Sequence, residues 1–343
     1  MSTTLHSLSR HLECKRTLYF RHTAGSVFLR GKHLVHQRGD TEDVCALADI
    51  RRVVLLGRPG VESAILYRLM RAGIPVDWLD PFGRPLGQLL SLEDPADRTV
   101  VRQGEFCRSA AALELARAIL LARMDNAREV LRRRCPIPQG WDACRERLGR
   151  AATPEQLRGA EGLGARLYFS CWQSLSGPFP WLGRKAHPAP DPVNVLLSLG
   201  YGLLHNRLAS ALRHAGLDPR TGFFHAGRGR HCALASDIME QWRPLVDATV
   251  LRLVRRGQLA PRHFDRRNGR CILRDQDAFR LVMNSFEEMF SRRLSLYVHV
   301  DGAWQARCRT LNDHLEDTAR AFARQIAGGS SCNALRIRPC PVI

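Results

Sequence analysis

The sequence predicts an α+β fold: a small N-terminal β-rich domain over residues 1–90, a larger helical domain over 91–327, and a loose C-terminal tail over 328–343. Three observations predict it. The first part breaks into short apolar or alternating runs separated by Gly, Asp and polar turns, the pattern of strands. Beyond residue 91 the runs lengthen and apolar residues recur at helical spacing. The chain of 343 residues is long enough for two cores.

In the first part TLYF, SVFLRG, HLVHQ and RRVVLLG read as strands. VESAILYRLMRAG reads as a helix stopped by Gly73, and IPVDWLD with the PFGRPLG turn returns to extended chain. SAAALELARAILLARMDNAREVLRRR is a long amphipathic helix, broken by PIPQGWDA. TPEQLRGAEGLGARLYFSCWQSL reads as the next helix. SGPFPWLGRKAHPAPDP is a Pro-rich loop long enough to carry function. Asp191 then caps an apolar helix with Pro192 at its first position, and Gly216 ends it. SFEEMFSRRL and LNDHLEDTARAFARQIAGG add helices, and SSCNALRIRPCPVI is the tail.

Composition narrows the function. Lys plus Arg number 52 against 33 Asp plus Glu, a formal charge of +19. Such an excess fits a polyanionic partner, nucleic acid first. The ordinary alternative is a composition that inflates arginine everywhere. Eleven cysteines are scattered with no CxxC pair, which fits reduced cytoplasmic thiols rather than a disulfide framework or structural zinc. The start, MSTTLHSLSRHLECKR, lacks the apolar core of a secretory signal. The stretch PVNVLLSLGYGLL is too short to span a bilayer. No GxxxxGK[ST] motif occurs, so ATP hydrolysis is not indicated.

Several acids and one histidine invite a chemical reading. Glu161, Ala165, Tyr168 and Trp172 share one helical face. A carboxylate heading an apolar stripe must be paired, protonated or bound to metal. A salt bridge to one of the many arginines is the ordinary alternative. His225 follows Phe223 and Phe224 after a DPRTG turn, where a merely hydrogen-bonded histidine is the ordinary alternative. Asp237 and Glu240 are three apart on a helix that Ser236 could cap, and both could simply complement the positive helix N-terminus. Pro244 kinks that helix or starts a new one. Two carboxylates and an imidazole from Glu161, His225 and Glu240 would suit Mg²⁺ or Mn²⁺ better than structural zinc. Spacing alone does not show that they converge. LRRRC, RGRH and RRGQLAPRHFDRRNGR could follow a phosphate backbone, although each alone reads as a solvated face. Arg228 and Arg230 lie between two candidate ligand positions and could hold a phosphate there, with Arg243 a further candidate DNA contact.

These blocks together resemble the CRISPR-associated endonuclease and integrase family, the larger subunit of the spacer-acquisition complex. EGLGARLYF is similar to the family's Glu-Gly-containing helix, and DPVNVLLSLGYGLLHNRLASALRHAGLDPRTGFFH to the block that ends in its metal-binding histidine. LASDIMEQWRPLVD resembles its acidic segment, and RRGQLAPRHFDRRNGRCILRDQDAFRLV the segment that comes next in the family's order. The N-terminal order of strands, helix and GIPVDWLD fits too, so the resemblance covers roughly residues 14–325.

The resemblance implies a β-rich dimerisation domain and an all-helical catalytic domain. It implies that Glu161, His225 and Glu240 bind one Mg²⁺ or Mn²⁺, and that Asp237 occupies a nearby acidic position supporting activity. It further implies a homodimer and a small ferredoxin-like second CRISPR-associated protein as partner. The substrates would be double-stranded DNA: a prespacer whose 3′-hydroxyl ends are joined into the CRISPR repeat by transesterification. Departures are the Gly- and Arg-rich turn between His225 and Glu240, which would let Asp237 replace Glu240 if it displaced that residue, and Gly164 where Ala is common. The competing readings are a catalytically silent DNA-binding scaffold and a stand-alone branched-DNA nuclease.

Overall fold

The computed structural model describes residues 16–20, 26–38, 40–80, 85–89, 97–185, 188–225, 231–267, 269–300, 303–328 and 337–339. The chain divides into two compact units, Met1–Glu93 and Asp94–Ile343.

The first unit is β-rich. β1 (Arg16–Phe20) pairs in parallel with β5 (Ile50–Leu56), which pairs in parallel with β6 (Val76–Leu79); β7 (Pro85–Leu89) closes that sheet antiparallel to β6. β2 (Ser26–Arg30), β3 (His33–Arg38) and β4 (Thr41–Ala46) form a separate antiparallel sheet. The parallel pair needs a crossover, and α1 (Ser63–Arg71) supplies it. Ile65 and Leu69 of α1 are buried with Leu18, Phe20, Ile50, Val53, Leu55 and Val76 in one core. Gly73, at φ 66°, ends the helix in a left-handed turn: Ile74 N–H reaches back to Leu69 O at 2.9 Å and Gly73 N–H to Met70 O at 2.9 Å. β5 and β6 share a buried ion pair between Arg52 and Asp77, and Gln88 of β7 donates to Asp77 Oδ1 at 2.7 Å.

The larger unit is mainly helical. Its helices are α2 (Asp97–Cys107), α3 (Ala110–Arg132), α4 (Trp141–Arg150), α5 (Pro154–Ser170), the short α6 (Trp172–Leu175), α7 (Pro192–His214), α8 (Ala233–Met239), α9 (Arg243–Arg255), α10 (Gln276–Ser291) and α11 (Leu311–Ile326). α7 is buried on nearly every side, as its apolar sequence predicts, and packs against α8, α9 and α11. The Asp191 carboxylate caps it, accepting from Asn194 N–H at 2.8 Å. Gly200 lets its neighbours close in: a Cβ there would stand 2.5 Å from Val246 Cγ1 and 2.7 Å from the Phe286 ring. Trp141, Trp172, Trp242, Phe286, Phe290 and Phe322 fill the core. Among the described residues no helix is long and apolar enough to cross a membrane.

The helical unit also carries strands that helical periodicity did not predict. β8 (Phe264–Arg267) and β9 (Arg270–Leu273) form one hairpin, and β10 (Arg293–Val300) and β11 (Ala303–Thr310) another. The unit is therefore not all-helical. The helix expected to run through SFEEMFSRRL stops at Ser291, because β10 begins at Arg293. Part of the expected loose tail is ordered as well: β12 (Ile337–Pro339) pairs antiparallel with β10.

Candidate active site

Four helical segments of the larger unit bring the candidate residues together. Glu161 lies midway along α5, which starts where Thr153 caps it through Gln156 N–H at 3.3 Å. Glu240 begins a 3₁₀ turn, Glu240–Trp242, between α8 and α9. Pro244 explains that break. Its ring offers no N–H and would clash with the Glu240 carbonyl in a continuous α-helix. The chain tightens, Arg243 N–H bonds to Glu240 O, and α9 starts afresh with Pro244 in its first turn. Of the two outcomes the sequence allows at Pro244, the new helix is the one formed. Asn126 of α3 fixes the turn by donating to Gln241 O at 2.9 Å.

Arg123, in the middle of α3, joins the two acids. Its Nη1 stands 2.5 Å from Glu161 Oε1 and 2.7 Å from Glu240 Oε2. Arg243 Nη2 meets the other Glu240 oxygen at 2.9 Å. The Glu240 side chain is 3% exposed, so this charge is held out of water by two guanidinium groups. Burial alone would lower the pKa of Arg123, but the charges of Glu240 and Glu161 outweigh it and raise the pKa above its ordinary value. Nη1 carries two N–H groups, enough in number for both acids. The contact to Glu161 is a formed hydrogen bond, whereas Glu240 Oε2 is buried and held by charge at 2.7 Å, outside hydrogen-bond geometry.

Asp237 and His225 form the second half of the site. Both Asp237 oxygens are engaged: Oδ2 accepts from Phe223 N–H at 2.6 Å and Phe224 N–H at 3.0 Å, and Oδ1 accepts from His225 N–H at 2.8 Å and meets His225 Nδ1 at 2.6 Å. With its side chain fully buried, Asp237 folds residues 223–225 around itself. Donation from Nδ1 leaves Nε2 as the lone-pair nitrogen of a neutral imidazole. Burial works to lower the His225 pKa, but the hydrogen bond to Asp237 and the charges of Glu240 and Asp237 prevail and raise it. Gly222 makes this loop possible, since a Cβ there would lie 2.7 Å from Asp237 Oδ2 and 2.8 Å from Ala233 Cβ. Gly222→Ala is expected to displace the loop and to destabilise the protein by roughly 1–3 kcal/mol. A denaturant melt matching the parent would sink that expectation.

Beneath the acids lies a buried polar layer. Tyr201 of α7 donates to Asp247 Oδ1 at 2.5 Å. Arg243 and Arg184 both lie over the Tyr201 ring, at 4.9 and 5.3 Å from its centroid. Arg184, from the Pro-rich loop, also donates to Asn194 Oδ1 at 2.9 Å, which anchors that loop on α7. Burial pushes the Asp247 carboxyl up to about 6, against the pull of the Tyr201 and Tyr168 hydroxyls and the Arg123 and Arg243 charges. The unfolded chain then releases this proton near pH 4 while the native state keeps it to about pH 6. Asp247 thus loses stability for the protein as pH rises through that window, on the order of 3 kcal/mol. Asp247→Asn is expected to gain on the wild type between pH 4 and 6 in urea melts. A stability difference independent of pH there would refute the assignment.

The structure therefore brings Glu161 and Glu240 onto one guanidinium and sets His225 within electrostatic reach of Glu240. Among the described residues no three acidic, histidine or cysteine side chains form a preformed metal cage. The donor set still fits a hard divalent ion: a buried carboxylate oxygen lacks a hydrogen-bond partner, a second carboxylate is close by, and His225 has a free Nε2. Asp237 already meets four nitrogen donors, two on each oxygen. Ser236 does not cap a helix: α8 starts at Ala233, and the Ser236 hydroxyl lies 3.0 Å from His231 Nε2 instead. Arg228 and Arg230 lie outside the described residues. Arg243 is committed to Glu240 and Tyr201 rather than standing free. Sequence reasoning passes over Arg123, Arg184, Tyr201 and Asp247. For Arg123 a signal exists: it shares a helical face with Ala116, Ile119, Ala127 and Val130, so it is a charge on an apolar stripe, as Glu161 is.

Known proteins of the same kind agree with this architecture. The family model described as CRISPR associated protein Cas1 matches residues 18–288. The chain is 36% identical over 281 residues to CRISPR-associated endonuclease Cas1 1 of Thermus thermophilus, covering 81% of this chain and 86% of that protein. In three dimensions it is similar to a casposase bound to integration product, with TM-score 0.77 and 22% identity over 91% of each chain. It is also similar to a chain of a Cas6-RT-Cas1–Cas2 complex, with TM-score 0.76 and 24% identity over 96% of this chain and 37% of that one. A family match over most of the chain, together with a relative of that identity and coverage, shows that the chain belongs to the Cas1 family of CRISPR-associated endonucleases.

Proposed function

We propose that this chain is a divalent-metal-dependent DNA endonuclease and integrase that joins the 3′-hydroxyl ends of short duplexes to a phosphodiester of a CRISPR repeat. The single observation that carries the reading is Glu240: a carboxylate buried beside Glu161 and within reach of His225, with one oxygen held only by the Arg123 charge. Glu161, His225 and Glu240 would hold one Mg²⁺ or Mn²⁺, which when bound withdraws charge from the scissile phosphate and stabilises the attacking or leaving oxygen.

The chain's own residues do the rest. Asp237 holds the His225 ring and fixes its tautomer. Arg243 and Arg184 stack on Tyr201 and place positive charge beside the acids, where a phosphate would dock. The excess of arginine grips backbone phosphates without reading base sequence, which suits prespacers of varied sequence. The reaction forms one P–O bond from the incoming 3′-hydroxyl and breaks one P–O bond in the repeat. It therefore needs no nucleotide hydrolysis. A homodimer joined through the β-rich unit, with the small ferredoxin-like Cas2 as partner, belongs to the same proposal. The Cas1–Cas2 assembly named for a structure of the same fold supports the Cas2 partner.

The test is to incubate the protein, with and without Cas2, with a 3′-hydroxyl duplex and a supercoiled plasmid bearing a repeat, in Mn²⁺ or in chelator. Joining in Mn²⁺ that disappears with chelator and in Glu161→Ala and His225→Ala supports the reading. DNA binding without joining under every condition would leave a silent scaffold as the better account.

A further inference from the structure

Arg123 stands between the two carboxylates that the proposed ion would take. One nitrogen stands within 2.7 Å of an oxygen from each of two carboxylates on different helical segments. The guanidinium offsets part of their combined charge. Two neighbouring carboxylates repel each other, and Arg123 is a cation in contact with both.

We infer that Arg123 is a surrogate cation: it keeps the two acids assembled in the metal-free protein and competes with the divalent ion for them. The inference rests on the metal-binding reading of Glu161 and Glu240. Arginine satisfies the acids only in part: Nη1 hydrogen-bonds Glu161, while Glu240 Oε2 is held by charge at 2.7 Å, outside hydrogen-bond geometry. A divalent ion can bond both oxygens at once, with twice the charge. Nη1 fills the space between those two oxygens, so an ion that bonds both requires Arg123 to withdraw. Arg123 lines a small cavity of about 20 Å³ together with Glu161, Asp247, Leu120, Trp141 and Tyr168. Glu161 keeps 28% of its side chain exposed, so the withdrawing group moves toward that open side, where a DNA phosphate would receive it. Metal affinity is then set by a contest that other arrangements of acids would not have.

The experiment measures Mn²⁺ dissociation constants by electron paramagnetic resonance, without DNA and at mildly alkaline pH, for wild type, Arg123→Met, Arg123→Lys and Glu240→Ala. Melting temperatures are recorded with and without Mn²⁺. Arg123→Met is expected to bind Mn²⁺ at least about tenfold more tightly than wild type. It should also melt lower without metal and gain more from metal, while Arg123→Lys stays near wild type. Equal or weaker binding by Arg123→Met, with wild-type binding that Glu240→Ala abolishes, overturns the surrogate role and leaves the metal site standing. No Glu240-dependent binding in any variant overturns both. Should Arg123→Met fail to fold even with Mn²⁺, the wild type decides through its ¹⁵N-labelled arginine side-chain spectrum. The Arg123 resonance, identified by its loss in Arg123→Lys, must shift on adding Mg²⁺, and an unmoved resonance overturns the inference.

Discussion

Glu240→Ala is expected to abolish Mn²⁺-dependent strand joining and to destabilise the metal-free protein as well. Glu240 answers two guanidinium groups, Arg123 at 2.7 Å and Arg243 at 2.9 Å, from a position with 3% exposure. Removing it leaves both cations short of a partner inside the fold. Breaking a buried pair in this way typically costs ~3–5 kcal/mol, more than the pair contributes over an apolar replacement. The catalytic loss is separate. The substitution removes the carboxylate with the unsatisfied oxygen, and a drop on the order of 10³-fold corresponds to ~4 kcal/mol of transition-state stabilisation. Glu240→Gln separates the two effects. It keeps the side-chain shape and one acceptor oxygen for an arginine, so it should recover part of the stability but none of the joining. A gel assay of duplex-to-plasmid joining, read beside a thermal melt, decides. Joining by Glu240→Gln at the wild-type rate would remove Glu240 from the chemistry.

Much of the fold is legible in the sequence, and the gaps have physical causes. Helices announce themselves by capping as well as periodicity: Asp191 and Thr153 bond the N–H groups three residues on, as their positions predict. β4 escapes sequence reading because it is an edge strand of polar sequence, TEDVCA, with only Cys45 buried. The two hairpins of the helical unit do carry a signal. Asn268-Gly269 separates β8 from β9, and Asp301-Gly302 separates β10 from β11. Both dipeptides favour the tight turn of a two-residue hairpin. In the site, Glu161 and Glu240 are legible because acids on apolar faces need an explanation. Their common partner is not, since one helix period says nothing about which other helix it meets. The ordinary alternative for Glu161, a salt bridge to an arginine, is what the structure contains, and Arg123 gives that pairing its meaning.

Asp237→Asn is expected to harm the protein at least as much as Asp237→Ala, which reverses the usual ranking of a conservative change. The reason lies in the count of donors. Asp237 receives two N–H groups on each oxygen: Phe223 and Phe224 on Oδ2, and the backbone and ring of His225 on Oδ1. An asparagine has one acceptor oxygen. With its NH₂ at the Oδ2 position it faces the Phe223 and Phe224 N–H donors; at the Oδ1 position it faces the His225 N–H and is accepted by Nδ1 only if the ring moves its proton to Nε2. Alanine removes the acceptors but adds no donor, and it opens room for water to reach the orphaned groups. Each lost bond to a charged acceptor is worth about 1.5–3 kcal/mol. The loop from Gly222 to His225 should therefore loosen in both variants, and more in the amide. Loss of the Nδ1 partner also frees the His225 ring and its tautomer, so Mn²⁺ affinity should fall by about 10–100-fold. A mainly structural role predicts lower melting temperature with unchanged Mn²⁺ affinity in whatever fraction folds. Measuring both quantities on the same samples tells the two apart, and an Asp237→Asn protein more stable than Asp237→Ala would show that the four-donor arrangement does not govern this loop.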